Sequence, residues 1–265
     1  MVAEDFINRA KALNLNVKKI KAYAGTSCYL IDKHNDNYIL CIPDDVQHVN
    51  LVKSEMNILR GNVKVIGGKG LNDTSSMFKY CDARSLDLSS LDTSNVTNMA
   101  MMFKECNTTK VIFGSFNTSK VTDMTAMFDY CSIRKLDLSS FDTSNVTKMA
   151  RMFLACGRID CINLSSFNTT NVIDMSQMFA YCDFESLDIS SFDTSNVRNM
   201  KSMFHHATID NLTLGKFDTH GVKNMIQMFY RFKTDSAISI AVNKNAKTDH
   251  MFDGAQMLDL DLQDC

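Results

Sequence analysis

Residues 136–156 read LDLSSFDTSNVTKMARMFLAC, and close copies of this stretch recur along most of the chain. A Met-Phe pair marks each copy, at Met77/Phe78, Met102/Phe103, Met127/Phe128, Met152/Phe153, Met178/Phe179, Met203/Phe204, Met228/Phe229 and Met251/Phe252. Successive pairs lie 25, 25, 25, 26, 25, 25 and 23 residues apart. A period of this size is the signature of a solenoid, in which each unit is one coil that buries its apolar side only against its neighbours.

The two halves of a unit have different hydrophobic periods. Leu136 and Leu138 alternate with Lys135, Asp137 and Ser139, which is the period of a short strand. Val146, Met149, Met152, Phe153 and Cys156 fall at offsets 0, 3, 6, 7 and 10. At about 100° per residue these five share one apolar stripe, and the spacing predicts a helix. Between the halves, Phe141 is an apolar plug, and Asp142-Thr143-Ser144-Asn145 supplies short polar side chains suited to a turn and a helix cap. The expected fold class is α/β: a leucine-rich-repeat-type solenoid of about eight 25-residue strand-turn-helix coils with a parallel sheet. Residues 61–265 would form that solenoid, and residues 1–60 a small α/β N-terminal cap domain.

The run LDLSSFDTSNV followed by MxxMFxxC resembles the BspA-like class of bacterial leucine-rich repeats over about residues 61 to 255. That resemblance implies a scaffold that binds proteins and surfaces, frequently outside the bacterial cell, rather than a catalyst. The first sixty residues lie outside it.

Composition sets further bounds. With 45% hydrophobic residues the chain can fill a core, and a formal charge of −2 gives no general attraction to nucleic acid or membrane. No apolar run approaches the roughly 20 residues of a membrane span. The opening MVAEDFINRAKALNLNVKK carries acids before any apolar segment, unlike a secretory signal, so a cytoplasmic protein is expected. Five of the nine cysteines, Cys81, Cys106, Cys131, Cys156 and Cys182, share one repeat position, where buried reduced thiols would fill space.

In chain order, residues 3 to 13 read as a short amphipathic helix, followed by β-rich runs at Val17 to Tyr23, Cys28 to Asp32 and Tyr38 to Ile42. A second helix is expected after Pro43, with Val46, Val49, Val52, Met56 and Leu59 inward. The first coil carries Gly67-Gly68-Lys69-Gly70 in place of the polar turn, without the Lys-Ser/Thr that a phosphate loop needs. One residue is inserted near Cys156 to Cys161, where a bulge is expected. The closing LDLDL, Leu258 to Leu262, reads as a last edge strand.

No singular catalytic constellation stands out. The aspartates Asp92, Asp142, Asp193 and Asp218 repeat from coil to coil, as structural turn residues do, with calcium the lesser reading. The thiols come one per coil rather than as the converging pairs of a zinc site, and the adjacent His205 and His206 lack the spacing of a metalloprotease pair. Most of the 18 methionines occupy two buried repeat positions; Met101 lies outside them and is expected to face outward. No metal and no cofactor is expected.

Function should then lie in what varies between coils. On the outer side of the strands, Lys110 and Lys135 are stacked neighbours with Ile112, Asp137 and, further along, Asp188. An isoleucine among serines and aspartates hints at a contact surface. In the second half of coils six and seven, Arg198, Lys201, His205, His206, Lys223, Tyr230 and Arg231 read as a basic and aromatic cluster that could meet phosphate or an acidic protein. The expectation is a non-enzymatic intracellular protein-binding scaffold of bacterial or phage origin. A sharper form of it is a mobile-element inhibitor or adaptor aimed at a host defence complex such as a CRISPR effector. The alternatives are a bacterial surface or adhesion repeat protein, a nucleic-acid or nucleoprotein binder acting through the cluster, and an enzyme with its site near Cys28, His34 or His48. A membrane partner is not expected, and the oligomeric state is left open.

Overall fold

A computed structural model describes residues 3–21, 27–51, 60–157, 159, 162–215 and 217–264. Helix α1 (Ala3–Ala12) precedes strands β1 (Asn16–Lys21), β2 (Ser27–Asp32) and β3 (Asn37–Ile42). The strand sides of the coils follow as β4 (Asn62–Gly67), β5 (Ser85–Leu91), β6 (Lys110–Ile112), β7 (Asp183–Asp188), β8 (Thr208–Thr213), β9 (Ala237–Val242) and β10 (Asp259–Asp264). β1, β2 and β3 are antiparallel neighbours, and the turn joining β2 to β3 places His34, Asn35 and Asp36 at positive φ. From β3 onward every pairing is parallel.

The helical half of each coil is not a helix. Among the described residues α1 is the only α-helix, and the stripe from Val146 to Cys156 is a train of tight turns. Met152 N donates to Met149 O at 3.2 Å, Leu154 N to Arg151 O at 3.2 Å and Cys156 N to Phe153 O at 3.2 Å. The intervening amides turn outward to the next coil: Met149 N to Asp174 O, Arg151 N to Ser176 O, Phe153 N to Met178 O and Ala155 N to Ala180 O. Two residues per coil take the left-handed conformation, Arg151 (φ 60) and Ala155 (φ 54) here, Ala126 and Tyr130 one coil earlier, Ser202 and His206 two coils later. That conformation interrupts an α-helix.

Spacing explains why the turns win. Parallel strands stack about 4.8 Å apart, whereas packed helices need about 8–10 Å between axes, so a helix in every coil would force the array to fan open. The turn train matches the strand spacing. Its phenylalanines, Phe78, Phe103, Phe128, Phe153, Phe179, Phe204, Phe229 and Phe252, stack ring on ring with centroids 5.3 to 5.8 Å apart. The apolar stripe is therefore buried as expected, with Val146, Met149, Met152, Phe153 and Cys156 all inaccessible to solvent, but by a different backbone. The fold is a β-solenoid of about nine turns, marked by a chain of bridges at His48, Asp73, Asn98, Asp123, Lys148, Asp174, Asn199, Asn224 and Lys247.

The repeated Asp-Thr-Ser-Asn is coil-to-coil hardware. Its threonine points inward: Thr118, Thr143, Thr169 and Thr194 are almost fully buried, and each hydroxyl donates to a backbone carbonyl of the next coil, Thr143 Oγ1 to Asn168 O at 2.9 Å. The same oxygen accepts from Asn168 N at 2.8 Å. The carboxylate or amide before it accepts from the residue two further on, as Asp142 does from Ser144 N at 3.0 Å. The closing asparagine reaches back, Asn145 Nδ2 to Ser119 O at 2.7 Å. Capping chemistry was read correctly in kind, yet it closes turns and bridges coils instead of starting helices.

Strand rows behave as expected: Leu86, Leu88, Leu91, Val111, Phe113, Leu136, Leu138, Phe141, Leu187, Ile189 and Phe192 are buried in one core that runs from Ile20 to Met251. The first parallel pairing lies earlier than the repeats suggest. Asn37 pairs with Asn62, one period of 25, so the sheet crosses residue 60 without a break. Among the described residues after Pro43 the expected helix is not begun: residues 44–51 turn and form the His48 bridge, burying Val46 and Val49, while Val52, Met56 and Leu59 lie outside the described residues. The bulge expected at Cys156 to Cys161 falls partly outside them too. β10 is the last strand, parallel to β9, as the LDLDL pattern predicts.

Candidate functional site

Among the described residues, the outer side of the strands is covered at its N-terminal end alone. There α1 packs Ile7 and Ala10 on Ile31, Ile39 and Cys41. One register row runs across the sheet from Ile39 to Lys64, Asp87 and Ile112, so Ile112 stands in line with the residues under α1 but beyond the helix. It is 39% exposed. Lys110 bridges to Lys135 in the next coil, which brings the two lysines side by side as the sequence suggested.

A groove of about 700 Å³ opens at this point, lined by Lys110, Ile112, Gly114, Arg134, Lys135 and Asp137. A second, of about 470 Å³, lies toward β3 with Lys33, Lys64 and Asp87 on its walls, and Ile112 lines both. Two local features make the opening. The six-stranded sheet ends at the three-residue β6, beyond which only the Lys110–Lys135 bridge continues it. Gly114, at φ 57, also lies so close to the coil before it that a Cβ would meet Ser89 Cβ at 2.5 Å. Lys64 Nζ is 3.3 Å from Asp87 Oδ2. Asp137 accepts from the Ser139 hydroxyl at 2.6 Å and amide at 3.0 Å, which hold its carboxyl below the ordinary carboxylate range. Asp188 is held down in the same way by Ser190, through side-chain and backbone hydrogen bonds.

The basic and aromatic cluster of coils six and seven divides in two. Its aromatic part assembles: His205 stacks on Tyr230 at 4.9 Å, His206 lies 4.7 Å from His205, and Arg231 sits 5.4 Å over the Tyr230 ring. Tyr181 of the preceding coil, which the sequence reading passed over, stacks on His206 at 5.2 Å. Burial, then the charges of His206 and Arg231, push the His205 pKa down. Its Nδ1 is buried without a hydrogen-bond partner among the described residues. The basic part lies elsewhere on the coil. Arg198 folds back to donate to Ser195 O and Val197 O and lies against Gly221, and Lys223 is exposed at the equivalent position, seven residues before the ring stack. Lys201 is exposed on the turn between them.

One charged group escaped the sequence reading altogether. Asp129 is fully buried in the turn train, with Lys104 Nζ at 2.6 Å and Arg151 Nη2 at 3.1 Å on the same oxygen. Its other oxygen has no partner among the described residues. The three come from three successive coils. The sequence signal was that Lys104 and Asp129 lie one period apart at a position held elsewhere by Leu154 and Ala180. Met101, expected outward, is half-buried at a left-handed turn position.

The N-terminal candidates for chemistry do not converge. Cys28 is buried in the core with its thiol pushed up to about 12 by burial, then by Cys41 and Asp45, so it is protonated at neutral pH and a poor nucleophile. His34 sits in the β2–β3 turn, and His48 Nδ1 faces Asp73 at 3.2 to 3.4 Å in the bridge ladder. The seven described cysteines are buried and free, and among the described residues no three His, Cys, Asp or Glu side chains gather to hold a metal ion. No described helix is long and apolar enough to cross a membrane.

Fold and surface together define a class: a parallel β-solenoid repeat protein whose invariant residues build the coil and whose variable ones line an open strand face. The chain belongs to the family described as Mycoplasma protein of unknown function, DUF285, which matches residues 72–182 and again 155–265. No curated protein and no solved structure matches it.

Proposed function

We propose that this protein is a non-enzymatic, BspA-like repeat scaffold that binds another protein through the outer face of its strands, around Lys110, Ile112 and Lys135. The observation that carries this reading is the exposed Ile112 between two grooves, ringed by Lys110, Arg134 and Lys135, in a face otherwise polar and charged. An apolar centre with a charged rim is how protein contact surfaces are built. The coil supports this use by holding its outward side chains on a rigid frame.

The test compares affinity capture by the intact protein and by a variant carrying Lys110→Ser, Ile112→Ser and Lys135→Ser, with melting temperature as the control for folding. Loss of a specific partner at unchanged melting temperature is the expected result. Equal capture by both would remove the strand face from consideration. Capture that collapses between 50 and 200 mM salt, by roughly a thousandfold, and is abolished by nuclease would make the partner nucleic acid instead.

A further inference from the structure

Charge is not spread evenly along the strand face. In its first half, Lys64, Arg84, Lys110, Arg134 and Lys135 point outward, with Asp36, 3.7 Å from Arg84, and Asp87 and Asp137 the acids among them. In its second half the exposed charges at the corresponding positions are Glu185, Asp188, Asp210, Asp235, Asp259 and Asp261. The alternation follows the register. Arg84 and Arg134 stand just before the paired residues Ser85 and Lys135, and Glu185 and Asp210 stand just before the paired residues Ser186 and Asn211. Thus one outward position reads Arg, Thr, Arg in the early coils and Glu, Asp, Asp in the late ones.

A face that is basic at one end and acidic at the other is complementary to itself when turned end for end. We infer that the partner on this face is a second copy of the chain, packed strand face to strand face about a two-fold axis parallel to the strands and level with Asn163. This inference rests on the reading of the strand face as a contact surface and specifies its occupant. A two-fold contact requires that residue i meet residue j and j meet i. With the axis over the Asn163 coil, Arg134 of one copy lies opposite Glu185 of the other, Lys110 opposite the Asp210–Asn211 pair, Arg84 opposite Asp235 and Lys64 opposite Asp261. Each pairing occurs twice. The basic and acidic centres, Lys110/Arg134 and Glu185/Asp210, are three coils apart, about 14 Å at the spacing of parallel strands.

The dimensions suit such a contact. From the Lys64 coil to the Asp261 coil there are eight strand spacings, about 38 Å, and the outward strand segment is about 16 Å long, which gives roughly 600 Å² per copy. That is near the low end of specific interfaces, where charge pairing sets orientation and the complex weakens with salt. Helix α1 stands over β1–β3, before the Lys64 coil, and therefore outside the overlapping area. One juxtaposition is unfavourable: Asp137 and Asp188 come opposite each other. It makes the arrangement testable in the direction of gain.

The experiment is sedimentation velocity of the intact chain at about 100 μM, in about 20 mM and about 500 mM salt, conditions in which screening lengths differ several-fold. A dimer in low salt that dissociates in high salt is expected. Lys110→Glu with Arg134→Glu and Lys135→Glu should make the protein monomeric, as should Glu185→Lys with Asp210→Lys and Asp235→Lys, both sets keeping the wild-type melting temperature. An equimolar mixture of the two variants should form a heterodimer, and Asp188→Asn should tighten the wild-type dimer several-fold. A wild-type chain that stays monomeric at low salt, or charge variants that dimerise as before, would overturn the inference. If that monomer still loses a captured protein on the Lys110/Ile112/Lys135 change, the strand face binds a foreign partner. If it binds a poly-glutamate probe through those lysines, that partner is acidic. If neither occurs, the strand-face reading fails along with the dimer.

Discussion

The two sides of each coil obey different rules. On the turn side the ladders run almost without interruption, with stacked phenylalanines from Phe78 to Phe252 and bridges from His48 to Lys247. On the strand side the inward leucines continue, but the backbone ladder breaks into sheets of six, two and two strands, and the outward residues differ from coil to coil. Cohesion thus resides on the turn side, where each inward phenylalanine is matched to its own copy one coil away. The strand side is left free to vary, and recognition can be written there at little cost in stability.

The sharpest way to break this division is to remove one rung of the phenylalanine stack. Phe128 touches rings on both sides, at 5.4 and 5.7 Å, and Phe128→Ala should cost about 3–5 kcal/mol, read as a fall in denaturation midpoint. A loss under about 1 kcal/mol would mean that the stack is incidental to cohesion. Next in size is Thr143→Val, which keeps the shape and strands the Asn168 amide and carbonyl that the hydroxyl now serves. A cost of about 2 kcal/mol is expected from chemical denaturation, since buried polar groups left without partners are penalised at about that level.

Acid sharpens the comparison further. Asp137, Asp142, Asp188 and Asp193 have carboxyls held below their ordinary value by the hydroxyl and amide of the serine two residues on. A carboxylate with a lowered folded pKa stabilises the fold above its unfolded value of about 3.9 and ceases to do so as pH falls through the folded value. These carboxyls by themselves should leave the melting temperature level from pH 8 to about 5 and make it drop below about pH 4. His205 adds a smaller loss of the same sign, because its lowered pKa means that protonation near pH 6 favours the unfolded chain. Replacing Asp142 and Asp193 by Asn, which keeps the acceptor without the charge, should flatten the acid limb; an unchanged limb would place acid sensitivity elsewhere. The smallest effect is expected on the strand face. Ile112→Ser should shift stability by less than about 0.5 kcal/mol, since the side chain is already partly exposed and outside the core, and a larger loss would make Ile112 part of the frame.

Much of the candidate site was legible because it breaks the repeat. Lys110, Ile112 and Lys135 could be singled out once the residues common to every coil were set aside, and the structure brings them together. Arg134, Lys33 and Lys64 joined them only when the register between coils was known. Arg198 and Lys223 were grouped with His205 and Tyr230 because seven residues along a helix stay on one face, an argument that lapses where the helix is replaced by a bridge and a train of turns. Lys104 and Asp129, one period apart at a position held elsewhere by Leu154 and Ala180, were legible in principle and were passed over, as was Tyr181.

The spacing of the Met-Phe pairs was sufficient by itself to establish a stacked array, its unit length, its inward residues and its parallel strands, because a strict period demands that like positions meet like. Whether the second half of each unit coils as a helix or folds as turns was decided only in three dimensions. An apolar stripe at offsets 0, 3, 6, 7 and 10 satisfies both, and a single unit contains nothing that chooses between them. The choice is made by the neighbouring coil, whose carbonyls lie one strand spacing away and accept the amides that a helix would have kept for itself.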